Sequence, residues 1–301
     1  LDATGAIDAA TDDATADVEG ATISLVAAVG GIGNTTILDV TATGGLNADT
    51  DAGDDGDIII DSIGDLPVGL VDAGAGVVTL DSTGAIDSVT DDGTADVVGG
   101  TINLVAAAGG IGATSTLDVT ATTVLNADTD AGDDGDIIID SIGDLPVGLV
   151  DAGAGVVTLD STGAIDSVTD DGTADVVGGT INLVAAAGGI GATSTLDVTA
   201  TTVLNADTDA GDDGNINIDS IGDLVVGLVD AGAGDVTLDA TGAIDAATDD
   251  ATADVEGATI SLVAAVGGIG NTTILDVTAT GGLNADTDAG DDGDIIIDSI
   301  G

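Results

Sequence analysis

Apolar residues recur at every second position in short runs, as in Ile102, Leu104 and Ala106 and again in Leu117, Val119 and Ala121. Alternation of this kind turns one side of an extended chain to a core and the other to water, so the runs are predicted to be strands. In one well-defined stretch the predicted strands cover 77–80, 101–106, 117–122 and 136–140, with weaker ones near 85–86, 111, 124–125 and 147–150. Each run is bounded by Gly, Asp, Asn or Thr, which favour turns. Helical spacing is nearly absent, and 49 Gly with many Val, Ile and Thr weigh further against helices.

The runs belong to a repeat. The segment LD(A/S)TGAID opens at Leu1, Leu80, Leu159 and Leu238, which sets a period of 79 residues and the units 1–79, 80–158, 159–237 and a partial 238–301. Residues 1–64 recur unchanged as 238–301, so the chain is expected to continue in both directions, with the next residue resembling Asp65. Run starts fall about 20 residues apart on average, the length of one β-solenoid coil, which predicts about four coils per repeat and about 15 in all. The fold class expected is therefore all-β, an elongated parallel β-helix (β-solenoid) forming one continuous domain. Tandem β-sandwich repeats are the alternative, but such cores carry large aromatic anchors and this chain has no Phe, Tyr or Trp.

Composition narrows the chemistry. Only eleven residue types occur; Lys, Arg, His, Cys, Met and Gln are absent along with the aromatics. Without imidazole, thiol, amine or guanidinium, acid–base work falls to carboxylates and nucleophilic work to Ser, Thr or carboxylate. An enzyme is not expected, because any catalytic group would be copied in every repeat without a unique cleft. The net charge of −56 comes from Asp and from Glu19 and Glu256, with no basic side chain beside them. Nucleic acid and anionic membranes are repelled by such a chain, and cations are its expected partners. No apolar window approaches the length of a membrane-spanning helix, so no membrane insertion is expected in this segment.

The acids are densest in one recurring loop. Its members are Asp49, Asp51, Asp54, Asp55 and Asp57; Asp128, Asp130, Asp133, Asp134 and Asp136; Asp207, Asp209, Asp212, Asp213 and Asn215; and Asp286, Asp288, Asp291, Asp292 and Asp294. Asp alternating with Gly resembles calcium loops, in which flexible turns bring several carboxylates onto a hard cation. Asp130, Asp134, Gly135 and Ile137 fit four positions of an EF-hand loop, but its closing Glu is missing. Two readings stand: a specific calcium site, or solvated turns with diffuse ions. A second loop, with Asp87, Asp91, Asp92 and Asp96, reads as a solvated turn. One repeat, 80–158, holds 14 Asp. At four coils of about 4.8 Å each, that is roughly 0.7 charges per Å, comparable with double-stranded DNA.

The stretch GDIIIDSIGDLPVGLVDAGAGVVTLDSTGAID (135–166), with GGTINLVAAAGGIG (178–191) and LDVTATTVLNADT (196–208), resembles repeats of very large bacterial exoproteins. These are the filamentous haemagglutinin-like, β-strand-repeat adhesins. The resemblance implies a secreted, right-handed parallel β-helix that serves attachment, aggregation or sheath formation. The expected role is thus structural and extracellular: a stiff acidic shaft of a surface adhesin, fibre or sheath, stabilised or bundled by calcium, with lateral or end-to-end self-association. The alternative is a binding module for cationic surfaces or calcium-bridged polysaccharide.

Overall fold

A computed structural model describes residues 1–300 apart from 51, 52, 54, 55, 131, 133, 210, 212, 213 and 288–292. The described residues form strands and turns without a helix, and every described strand pair is parallel. The strands stack as coils of a β-solenoid of about 12 turns. The chain divides into two compact units, one of Leu1–Pro146 with Val150–Gly155, the other of Val147–Leu149 with Val156–Gly301.

The predicted strands are present, most with longer bounds, while the expected 136–140 is shifted by one residue. In the first unit they include Val77–Ser82, Ile86–Ser88, Val97–Ala106, Leu117–Thr129 and Ile137–Ser141. Ile111 joins by single bridges to Ile86 and Ile137. Leu117–Thr129 was expected to end at 122. It continues round a corner at the exposed Thr122 and Thr123, where inward alternation breaks and resumes at Leu125. The register slips there too: Gly99 faces Ala121, but Thr101 faces Val124. One extra residue on the outer strand turns the chain while keeping both halves apolar inward.

Register also sets the number of coils. In the first unit Ile7, Ile32, Ile58, Val78, Ile102 and Leu125 follow one another up one ladder. A second ladder runs through Ile23, Leu46 and Val68, and Leu66 on the last of these strands leads on to Ile86, Ile111 and Ile137. Ile58 and Ile137 hold the same place in consecutive repeats yet lie on different ladders. Leu46 and Ile137 are four coils apart and Ile58 enters half a coil after Leu46, so a repeat occupies three and a half coils. The second unit shows both ladders again, one through Ile165, Ile190, Ile216, Val236 and Ile260, the other through Leu224, Ile244, Ile269 and Ile295. The count refines the expected four: runs 101–106 and 117–122 lie on different sides of the coil, because Thr101 stacks on Val124 and not on Leu117.

The core is mainly aliphatic, with buried Ser and Thr such as Ser82, Ser161 and Thr129 at the ends of its strands. Ile58, Ile60, Leu80, Ile102, Leu104, Ile111 and Leu117 are completely or almost completely buried. Stacking like residues on like fills each layer without aromatics, since the same side-chain shape recurs about every 4.8 Å. Small polar ladders run outside them: Asn103 Nδ2 donates to Thr79 Oγ1 (3.2 Å), and Asn126 Nδ2 donates to Asn103 Oδ1 (2.8 Å). Thr158, Asn182 and Asn205 repeat this in the second unit. The GGIG turn brings coils closest: at Gly112, with φ 65°, a Cβ would lie 2.0 Å from the Ile138 carbonyl oxygen.

Candidate functional site

Aspartate serves this fold first as a coil-to-coil acceptor. Where the backbone leaves the ladder at a corner, its N–H groups lose their strand partners and need others. Carboxylates one coil away provide them. Asp57 Oδ1 accepts from Val77 N (2.9 Å), Asp65 from Ala85 N (3.1 Å), and Asp134 from Ala154 N (3.0 Å). Asp87 accepts from Thr114 N (2.9 Å). Asn215 replaces Asp at the position of Asp57 and does the same for Asp235 N (2.9 Å), so an acceptor is required there and a charge is not.

The expected calcium loop is distributed accordingly. Asp51, Asp54, Asp55, Asp133, Asp212, Asp213, Asp288, Asp291 and Asp292 lie outside the described residues. Of the rest, Asp57, Asp134 and Asn215 hold backbone of the next coil, and Asp136 and Asp294 accept through their main-chain oxygens from Ile111 N and Ile269 N. Asp49 stands in register with Asp72 on the adjacent coil. Burial, then the charges of Asp151 and Asp130, pushes Asp128 above the ordinary carboxylate range; Asp207 is raised in the same way by burial, then Asp230 and Asp209. Asp286 faces Val263 across the ladder. Among the described residues no three acidic side chains converge as metal ligands.

Two further groupings were not read from the sequence. The first is a row. Asp39, Asp61 and Asp81 are consecutive rungs of one ladder, and Asp197, Asp219 and Asp239 are their counterparts. Rungs of such a row stand about 4.8 Å apart. Asp61 is pushed up to about 6 by burial, then by the charges of Asp81 and Asp39; Asp219 is raised to about 6 by burial, then by Asp239 and Asp197. The signal was present as Leu-Asp-Val, Ile-Asp-Ser and Leu-Asp-Ser at 38–40, 60–62 and 80–82, spaced by the register of the coils. Only the true coil length aligns those motifs.

The second grouping lies in the loop read as a solvated turn. Asp91 and Asp92 are exposed, and hydrogen bonds from Thr94 hold Asp92 below the ordinary range. Asp96, four residues on, is only 4% exposed and faces Asp118, which is 2% exposed. Asp118 N donates to Asp96 Oδ2 (2.9 Å), and Asp96 N donates to the Asp118 carbonyl (2.8 Å). Burial pushes Asp96 up to about 6, opposed by its hydrogen bonds with Asp118 N and Ser88 Oγ. Asp175 with Asp197 and Asp254 with Asp276 repeat the pair. The Oδ2 atoms of Asp118 and Asp197 are buried with no hydrogen-bond partner.

No family model, curated protein or solved structure matches this chain.

Proposed function

We propose that the chain is a structural segment of an extracellular surface adhesin, fibre or sheath, a stiff acidic shaft whose charge is met by cations from solution, calcium among them. The observation that supports this reading is the pairing of in-register carboxylate rows with a chain that has no Lys, Arg or His. Three and a half coils per repeat concentrate its 14 Asp to about 0.8 charges per Å of stack if all are ionised, above the line density of duplex DNA. A polyanion of that density condenses counterions, and a divalent ion neutralises two neighbouring rungs at once. The aliphatic ladder meanwhile gives each coil the same partner above and below, the arrangement of a solenoid whose stability is the sum of neighbouring interfaces. The resemblance to adhesin repeats adds the cell-surface setting and the role in attachment or sheath formation.

Sedimentation velocity in calcium and in sodium at equal ionic strength tests the reading. The expected result is association of shafts side by side in calcium and single particles in sodium. Identical sedimentation in the two salts contradicts calcium bundling.

A further inference from the structure

The buried Asp96–Asp118 pair sits where a hydrogen count can be made. Ser88 Oγ has three polar neighbours: Thr90 N, which donates to it (3.1 Å), the Thr90 carbonyl oxygen (2.9 Å) and Asp96 Oδ1 (2.9 Å). A serine hydroxyl has one hydrogen. If it goes to the Thr90 carbonyl, the contact between Ser88 Oγ and Asp96 Oδ1 has a hydrogen only when Asp96 is a carboxylic acid and donates it. Ser167 repeats the arrangement, with Thr169 N at 3.1 Å, the Thr169 carbonyl at 2.9 Å and Asp175 Oδ1 at 2.9 Å.

We propose that Asp96 and Asp175 hold a proton in the folded chain, donating it through Oδ1 to Ser88 and Ser167 Oγ, so that each pair is a proton-operated clasp between two coils. Protonated, the chain of donors is complete: Asp96 to Ser88, Ser88 to the Thr90 carbonyl, and Asp118 N to Asp96 Oδ2. When the proton leaves for solvent, the single serine hydrogen must serve two acceptors, the Thr90 carbonyl and the Asp96 carboxylate. The charge left behind also meets only like charges. Asp92 and Asp118 face Asp96, while Asp91, Asp92 and the in-register Asp140 face Asp118, and Asp72 lies on the strand that pairs with Val98. In the second unit Asp171 and Asp197 face Asp175, and Asp170, Asp171 and Asp219 face Asp197. Burial agrees in direction, since both Asp96 and Asp175 are raised to about 6. In the last copy Ala246 stands where the serine would be, so Asp254 has no hydroxyl to complete this chain.

The test is the pH dependence of denaturant unfolding, with infrared detection of protonated carboxyl groups, in the parent chain and in Asp96→Asn with Asp175→Asn. An asparagine amide reproduces the protonated acid, donating to the serine and accepting from the next coil. The double variant is expected to be more stable than the parent at pH 7 and to release about two fewer protons between pH 5 and 7, with a matching loss of the protonated-carboxyl band. A parent chain that gains stability from pH 5 to 7 overturns the proposal. So does a double variant that is less stable than the parent at pH 7, that does not fold, or that keeps the parent's pH slope. A calcium response at pH 7 that is lost in the double variant would likewise overturn it, assigning the pair to a metal ion.

Discussion

At the scale of single residues, Gly112 and the buried acids decide most. Glycine in the GGIG turn was legible as a turn former, but the reason only Gly fits is the approach of the next coil, with the Ile138 carbonyl 2.0 Å from where a Cβ would stand. Gly112→Ala should therefore lose more than about 1 kcal/mol, read as a lower urea midpoint, because both the left-handed backbone and the close contact oppose it. The acids carry a sign opposite to ordinary acid denaturation. Asp61 and Asp219 rise from the usual 3.8 to about 6 on folding. A group raised in the folded state contributes stability that is full below its unfolded value and is lost as the pH rises through the folded one. Unfolding midpoints should thus be higher at pH 4.5 than at pH 7. That these residues would be half-hidden was not legible: an Asp flanked by Ile and Ser reads as outward by alternation, and the shielding comes from neighbouring coils that sequence distance does not reveal.

At the scale of the strand, alternation sorted inward from outward residues well. Leu104 is almost completely buried where alternation places it, stacked between Leu80 and Ala127, whereas Leu70 shares the parity of the buried Leu66 and Val68 yet is 42% exposed, because the register slips there and inward positions resume at Val71. Leu104→Ala should cost about 2–5 kcal/mol, through lost burial and the cavity left behind, while Leu70→Ala should stay within about 0.5 kcal/mol. Urea unfolding of the two variants checks both. A break between 122 and 124 was legible, but not that it is a corner within one continuous strand, because the register slip that turns the chain depends on the adjacent coil. The same slip makes apolar runs resemble whole coils. Two runs on two sides of one coil look, in sequence, like two coils.

At the scale of the whole molecule, the 79-residue repeat was plain in the sequence, but its relation to the coil was not. A repeat of three and a half coils places equivalent residues such as Ile58 and Ile137 on alternate ladders. The acidic loops were legible as a reservoir of charge. Their division of labour was not, since coil-to-coil acceptors such as Asp57 and Asp65 look the same in sequence as acids in a row. Charge at this scale acts collectively: −56 with no basic side chain raises the free energy of the compact state by self-repulsion, and cations lower it.

The central claim, a stacked aliphatic solenoid whose carboxylate rows are neutralised from solution, is tested most directly by thermal unfolding followed by circular dichroism, in calcium against sodium at matched ionic strength. The melting temperature is expected to rise with either salt and to rise more in calcium. A melting temperature indifferent to salt, or one that falls as calcium is added, would contradict the claim.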